Sequence, residues 1–144
     1  MKPVFADSGH WMAYFNRADF LHQTAIEVAD ANRNRQVVTT EMVLAEFLND
    51  AAGRGEHYRT AAAEFVNDLG TEPTIRVIPQ SSEQFTAALE LFLNRPDKQW
   101  SLTDCSSFVV CEREGITEAF AHDIHFQQAG ITPLLRQSKK ESKK

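Results

Sequence analysis

The sequence predicts a single α/β domain in which a mostly parallel sheet of roughly four to five strands is covered by helices on both faces. Short apolar runs alternate with longer segments whose apolar residues recur at helical spacing. The 144 residues suit one domain and are too few for two, and no repeat or interior linker divides them. Alternating strands and helices favour parallel pairing, because each crossover between parallel strands requires a connecting segment such as a helix.

The first half of the chain contains two predicted strands and three predicted helices. In order they are a strand over 4–6, a helix over 19–32, a strand over 37–38, a helix from 39 or 40 to 49, and a helix over 57–69. The first helix is predicted from apolar residues at helical spacing, namely Phe20, Leu21, Ala25, Val28 and Ala29. Thr39 or Thr40 is a suitable N-cap for the second helix, and Gly70 is a suitable stop for the third.

The second half of the chain continues the alternation. Its predicted elements are a strand over 74–78, helices over 81–94 and 102–114, a strand over 118–121, a helical turn over 126–129 and a weak strand over 131–135. Ser81 and Gln84 match a capping box, and Gly115 follows the last full helix. The predicted domain therefore spans 1–136, and the charged segment 137–144 is predicted to be a flexible tail.

Composition limits the classes of function. The formal net charge is −5, whereas proteins that only grip phosphates usually have a basic surface. No apolar run approaches the roughly 20 residues of a membrane-spanning helix, and no signal-peptide region follows the first methionine. We therefore expect a cytoplasmic protein with no membrane partner. The excess of carboxylates is explained if several of them converge on bound cations.

Two carboxylates follow predicted strands. Asp7 comes directly after the strand over 4–6, and Asp123 comes shortly after the strand over 118–121. Ligands of open α/β sheets bind at the carboxyl ends of strands, so the two side chains lie together if these strands are neighbours. Taken alone, each Asp is better explained as the N-cap of a following helix than as a catalytic residue. The pair is suggestive of a site but does not establish one.

Glu46 is the one polar residue in the apolar stretch 42–48. A helix that is apolar nearly all round is largely buried, and a buried carboxylate requires a partner or a metal ion. The alternative is that Glu46 lies on a single exposed strip near Asn49 and Asp50. The pattern alone favours the two interpretations equally.

Asp104 also has two interpretations. Ser101 and Asp104 match the Ser-x-x-acid capping pattern, which indicates a structural role at the start of a helix. Asp104, Phe108 and Cys111 also share one helical stripe, which directs the carboxylate along a packed face. The histidines His122 and His125, which flank Asp123, match no zinc signature, and we expect them to be peripheral.

Four segments together resemble the PIN domain, and specifically the VapC-like toxin ribonucleases. They are VFADS at 4–8, TEMVLAE at 40–46, WSLTDCSSF at 100–108 and AHDIHFQQAG at 121–130. The order and spacing agree with the family from about residue 4 to residue 135. The residue before the last acid is often Thr in this family, whereas here it is His122.

The resemblance implies a three-layer α/β/α PIN-like domain and a metal-dependent endoribonuclease that hydrolyses RNA phosphodiester bonds. It implies that the catalytic and metal-binding residues are Asp7, Glu46, Asp104 and Asp123, with Ser8 as a helper beside Asp7. It also implies Mg²⁺ or Mn²⁺ as cofactor and a homodimer. For the toxin branch it implies a cognate antitoxin, as in a type II toxin–antitoxin pair.

Candidate substrate contacts lie near the four segments. Arg17 and Lys98 are candidates for positioning phosphates, and Trp100 is a candidate for stacking on a base. The alternatives are solvated surface charges for the first two and core packing for Trp100.

Two other functions remain open on the sequence. A phosphotransfer or phosphatase-type α/β protein also places an Asp after its first strand. Such a phosphatase would require Asp-x-Asp, whereas this chain has Asp7-Ser8-Gly9. A degenerate PIN domain that acts only as a binding module is the other alternative, and the complete set of four acids argues against it.

Overall fold

Strands alternate with helices through residues 1–136, which are the residues that the computed structural model describes. The strands are β1 Val4–Ala6, β2 Val37–Thr40, β3 Ile75–Ile78, β4 Glu118–Phe120 and β5 Thr132–Pro133. The helices are α1 Ser8–Phe15, α2 His22–Ala31, α3 Glu41–Ala52, α4 Glu56–Leu69, α5 Ser82–Asn94, α6 Leu102–Glu114 and α7 Ile124–Gln128. The predicted tail over 137–144 lies outside the described residues.

The strands form one parallel sheet in the order β3-β2-β1-β4-β5. In its register, Phe5 of the central strand β1 pairs with Val38 on one side and with Ala119 on the other. The chain first builds outward from β1 to β3 and then returns to add β4 on the opposite side. Strand order therefore reverses between β1 and β4, which is where open α/β sheets bind ligands. The predicted parallel sheet is confirmed.

Aromatic rings pack the helices against the sheet. Phe15, Phe47 and Phe65 connect α1, α3 and α4, with ring centroids 5.1–5.8 Å apart. A second group joins α7 to α6 and β1, because the Phe126 ring lies 5.0 Å from Phe108 and 6.1 Å from Phe5. This second group brings the starts of α6 and α7 to the end of β1.

The helix α1 was not predicted from the sequence. His10, Trp11 and Ala13 are all buried, so this helix is covered on more than one side and lacks a simple polar–apolar alternation. The His10 ring packs 4.8 Å from the Phe120 ring of β4. Burial lowers the pKa of His10 to about 3, so the ring is neutral at pH 7.

Several boundaries differ from the predictions for local reasons. The helix α2 begins at His22 and not at 19, because the Asp19 carboxylate accepts the Leu21 N–H at 2.8 Å and holds a turn there. The helix α7 begins at Ile124 and not at 126, because Asp123 is its N-cap. Within residues 1–136, every helix is too short or too polar to cross a lipid bilayer.

Candidate active site

Asp7 lies at the strand switch point. It follows β1 directly, and its backbone N–H donates to the Phe120 carbonyl of β4 at 3.2 Å. The residue is 7% exposed, and its Oδ1 is buried without a hydrogen-bond partner among the described residues. A buried carboxylate oxygen without a partner costs free energy unless the group is protonated or binds a cation.

The electrostatic surroundings of Asp7 connect it to the other predicted acids. Burial is the largest cause that raises its pKa from 3.8 to about 8, and the Ser8 backbone N–H opposes that rise. The negative charges of Asp104, Glu46 and Asp123 raise the pKa further. The charges of the other three predicted carboxylates therefore reach Asp7 at this end of the sheet.

Glu46 is held by a contact that joins α3 to α1. The Ser8 hydroxyl donates a hydrogen bond to Glu46 Oε1. The start of α3 is fixed by Thr40, whose Oγ1 accepts the Val43 N–H at 3.1 Å. Glu46 is half-buried, so it is neither fully enclosed nor on a solvated strip. Its partner Ser8 is the residue directly after Asp7, which brings the two acids to the same place.

Asp104 has both of the roles that the sequence left open. It completes a capping box with Ser101, since Ser101 Oγ accepts the Asp104 N–H and Asp104 Oδ2 accepts the Ser101 N–H, both at 3.0 Å. The residue is 9% exposed, and it faces the charge of Asp7. The cap therefore fixes the orientation of a carboxylate that belongs to the acidic cluster.

Asp123 is likewise a cap and a member of the cluster. Its Oδ1 accepts the His125 N–H at 2.9 Å at the start of α7. Its side chain is 44% exposed, so it forms the open side of the cluster.

His125 is the site residue that the sequence analysis missed. We expected a peripheral histidine, but its Nδ1 lies 3.0 Å from Asp104 Oδ2 and 3.3 Å from Asp123 Oδ1. The position two residues after an N-cap Asp is the signal that was available, because the first turn of a helix folds back toward its cap. His122, in contrast, contacts the ring of Phe20.

The carboxylates share one pattern of hydrogen bonding. Glu46, Asp104 and Asp123 each engage one oxygen with the protein, and the described residues give the other oxygen no hydrogen bond. Within residues 1–136, no three acidic, His or Cys side chains are arranged as a ready-made metal cage. The donors are nevertheless all carboxylate oxygens, which are the ligands that hard divalent cations take.

The candidate substrate contacts differ in their surroundings. Trp100 is 6% exposed, its Nε1 donates to Gln128 Oε1 at 3.0 Å, and its ring packs against Phe108. This is the core packing that was its alternative interpretation. Lys98 lies 4.0 Å from Asp97, and Arg17 is exposed.

Comparison with known proteins identifies the family. No family model matches the chain. The 23S rRNA-specific endonuclease VapC20 of Mycobacterium tuberculosis is 31% identical over 134 residues, which cover 91% of this chain and 97% of the relative. The chain belongs to the VapC family. VapC20 from a second strain of that organism matches with the same values.

A solved structure agrees with this membership. The crystal structure of Mycobacterium tuberculosis VapC20, titled a sarcin-ricin loop cleaving toxin, matches with a TM-score of 0.79 at 28% identity. The match covers 90% of this chain and 96% of that one. The present VapC protein therefore has the predicted PIN-like fold, and it is a toxin ribonuclease of a toxin–antitoxin system. The phosphatase-type alternative is set aside.

Proposed function

We propose that this VapC protein is a divalent-metal-dependent endoribonuclease that cleaves 23S rRNA at the sarcin–ricin loop. The substrate is supported by the activity named for VapC20, which is similar over nearly the whole chain. The observation that carries the site is the buried Oδ1 of Asp7, which has no hydrogen-bond partner among residues 1–136. The charges of three other carboxylates act on this carboxyl group.

The proposed cofactor is Mg²⁺ or Mn²⁺, held by Asp7, Glu46, Asp104 and Asp123. Two carboxylates about 5 Å apart repel each other by roughly 3 kcal/mol at an effective dielectric constant of about 20. A cation among the carboxylates relieves this repulsion, so the donor set fits the ion. When bound, it supplies an activated water and neutralises charge that develops on the phosphate.

The protein's own residues orient the acids for this task. The capping box holds Asp104, the N-cap hydrogen bond holds Asp123, and the Ser8 hydroxyl holds Glu46. Because one oxygen of each carboxylate is already fixed, less side-chain conformational entropy is lost when a cation binds. We assign no side chain as nucleophile, because water is the attacking group in this proposal.

Two macromolecular partners complete the proposal. A cognate antitoxin follows from membership of a toxin–antitoxin family, and a small DNA-binding protein in the adjacent upstream reading frame would support it.

A homodimer is supported by an apolar row on α5 whose exposed side chains are Phe85, Leu89, Phe92 and Leu93. Light scattering tests the dimer, and a monomer at working concentration would contradict it. The proposed place of action is the cytoplasm, where the rRNA substrate resides.

The test of the activity is a cleavage assay on a hairpin RNA that contains the sarcin–ricin loop. We expect a single cut that requires Mn²⁺, stops in EDTA and is absent with Asp104→Asn. A hairpin with a scrambled loop is the control for substrate choice. Equal cutting by Asp104→Asn would point to a contaminating nuclease, and cutting by the wild type in EDTA would contradict the metal requirement.

A further inference from the structure

The loop between α1 and α2 presents an aromatic ring to solvent. Phe20 is 76% exposed, although its neighbours in the chain are well fixed. The Asp19 carboxylate accepts the Leu21 N–H at 2.8 Å, and Leu21 is buried in the core. The His22 N–H donates to the Asp19 carbonyl at 2.9 Å. A large ring held out on an ordered turn loses little conformational freedom when it binds a ligand.

This ring lies beside the acidic cluster. The Phe20 ring contacts the His122 ring edge to face, with centroids 6.1 Å apart and planes at 88°. His122 is the residue directly before Asp123. The Phe20 ring therefore contacts the residue that directly precedes a carboxylate of the proposed metal site.

One arginine contacts the His122 backbone, and a second lies on the loop that carries Phe20. Arg136 Nη1 donates to the His122 carbonyl at 3.3 Å, and Arg17 lies on the same loop as Phe20. Neither guanidinium forms a salt bridge with another residue in 1–136. Six other arginines are each paired with a carboxylate, namely Arg33, Arg35, Arg54, Arg76, Arg95 and Arg113. Arg59 is the remaining arginine without a salt bridge among the described residues.

We propose that Phe20, His122, Arg17 and Arg136 form a base shelf that binds a nucleotide next to the scissile bond. The rings stack on the base and the guanidinium groups contact phosphates. The inference rests on the proposed RNA substrate and names where that RNA is held. A net charge of −5 and a cluster of acids repel RNA, so arginines that form no salt bridge within residues 1–136 would offset this repulsion beside the site.

Two substitutions at Phe20 separate stacking from simple apolar contact. Phe20→Leu keeps apolar area without an aromatic face, whereas Phe20→Trp keeps the face. Base–aromatic stacking contributes about 1–3 kcal/mol, which is about 5- to 140-fold in affinity. We expect Phe20→Leu to raise KM for the hairpin at least about fivefold with little change in kcat, and Phe20→Trp to stay near the wild type. Unchanged KM in Phe20→Leu would overturn the proposal.

Abasic nucleotides test the contact from the RNA side. In this experiment, a set of hairpins each lacks one base near the cut, and the cleavage of each hairpin is measured with the wild type and with Phe20→Leu. At one position, loss of the base should weaken the wild type but cost Phe20→Leu nothing further, because both changes remove the same stack. Additive losses at every position would show that no base meets Phe20.

Binding without metal distinguishes failure of the base shelf from failure of the proposed function. In EDTA the hairpin stays uncut, and fluorescence anisotropy measures the affinity of the protein for it. Arg136→Ala should lower the slope of log affinity against log salt by about 0.7–0.9, and Arg33→Ala, whose arginine is paired with Asp30, should not. If the wild type does not cut with Mn²⁺, the proposed function fails while anisotropy still judges the base shelf. If the wild type cuts and Phe20→Leu binds and cuts equally well, only the base shelf fails.

Discussion

At the scale of single residues, Asp7 carries the main electrostatic cost of the site. Its pKa of about 8 means that the metal-free native state holds a proton that the unfolded chain releases above about pH 4. The stability that depends on this proton is complete below the unfolded pKa of 3.8 and is lost as the pH rises to about 8. A metal ion at the site would remove the need for the proton.

Asp7→Asn should therefore raise the melting temperature in EDTA at pH 8 and reduce its dependence on pH. Each kcal/mol regained corresponds to about 2–4 °C for a chain of this size. The same variant should lose cleavage, since Asn lacks the charge that a cation needs. Asp30→Asn, which alters an exposed carboxylate, is the control. A lower melting temperature for Asp7→Asn would mean that internal hydrogen bonds hold the ionised carboxylate.

The second prediction at this scale concerns His125, whose Nδ1 lies between two carboxylates. His125→Ala removes the group that keeps Asp104 and Asp123 together. Loss of a residue that orients metal ligands typically reduces metal affinity about 10- to 100-fold. Calorimetric titration with Mn²⁺ measures this, and His125→Asn should recover part of the affinity because its amide can donate a hydrogen bond. Equal Mn²⁺ affinity in the wild type, His125→Ala and His125→Asn would mean that His125 does not orient the metal ligands.

At the scale of elements, two of the proposed metal ligands lie at helix starts and a third lies within a capped helix. Asp104 and Asp123 lie at the starts of α6 and α7, and Glu46 lies on α3, whose start Thr40 caps. A cap fixes the backbone of the first turn, and so it also fixes the direction of an acid located there. If the proposed site is correct, its activity and the stability of the helix starts are coupled at Asp104 and Asp123.

Ser101→Ala tests this coupling. It should destabilise the protein by about 1 kcal/mol, the usual cost of losing an N-cap, and reduce cleavage although every acid remains. Ser81→Ala is a matched control, because Ser81 caps α5 through the Gln84 N–H at 3.1 Å and α5 carries none of the site acids. We expect a similar loss of stability with full cleavage. Equal cleavage by both variants would mean that the capping box does not orient Asp104.

At the scale of the whole molecule, the sheet joins four distant segments at one point. The carboxylates that meet there repel one another when they are ionised, so Mn²⁺ should stabilise the native state. A ligand at one hundred times its Kd contributes about 2.7 kcal/mol. Thermal melts across a Mn²⁺ series should show a melting temperature that rises with Mn²⁺ concentration, and the rise should be smaller in Glu46→Gln. A melting temperature that does not respond to Mn²⁺ would argue against a metal site.

Much of the fold could be predicted because its elements are encoded locally. Apolar runs predicted the strands, and capping and terminating residues predicted most helix ends within a few residues. Ser81 is the N-cap of α5 and Gly115 is the C-cap of α6, as predicted. The helix α1 was missed because it is buried on several sides and carries no simple periodicity. His125 was missed because its role depends on Asp104, a residue 21 positions away.

The sequence by itself determined the element types and identified the four acids, although each acid had a second interpretation as a cap or a surface charge. Only the tertiary structure decided that β1 and β4 are neighbours, that Asp104 and Asp123 are caps and cluster members together, and that Phe20 meets His122. The physical reason is range. Propensities and caps act within one turn, whereas contacts between distant segments depend on strand order and on how buried rings pack helices onto the sheet.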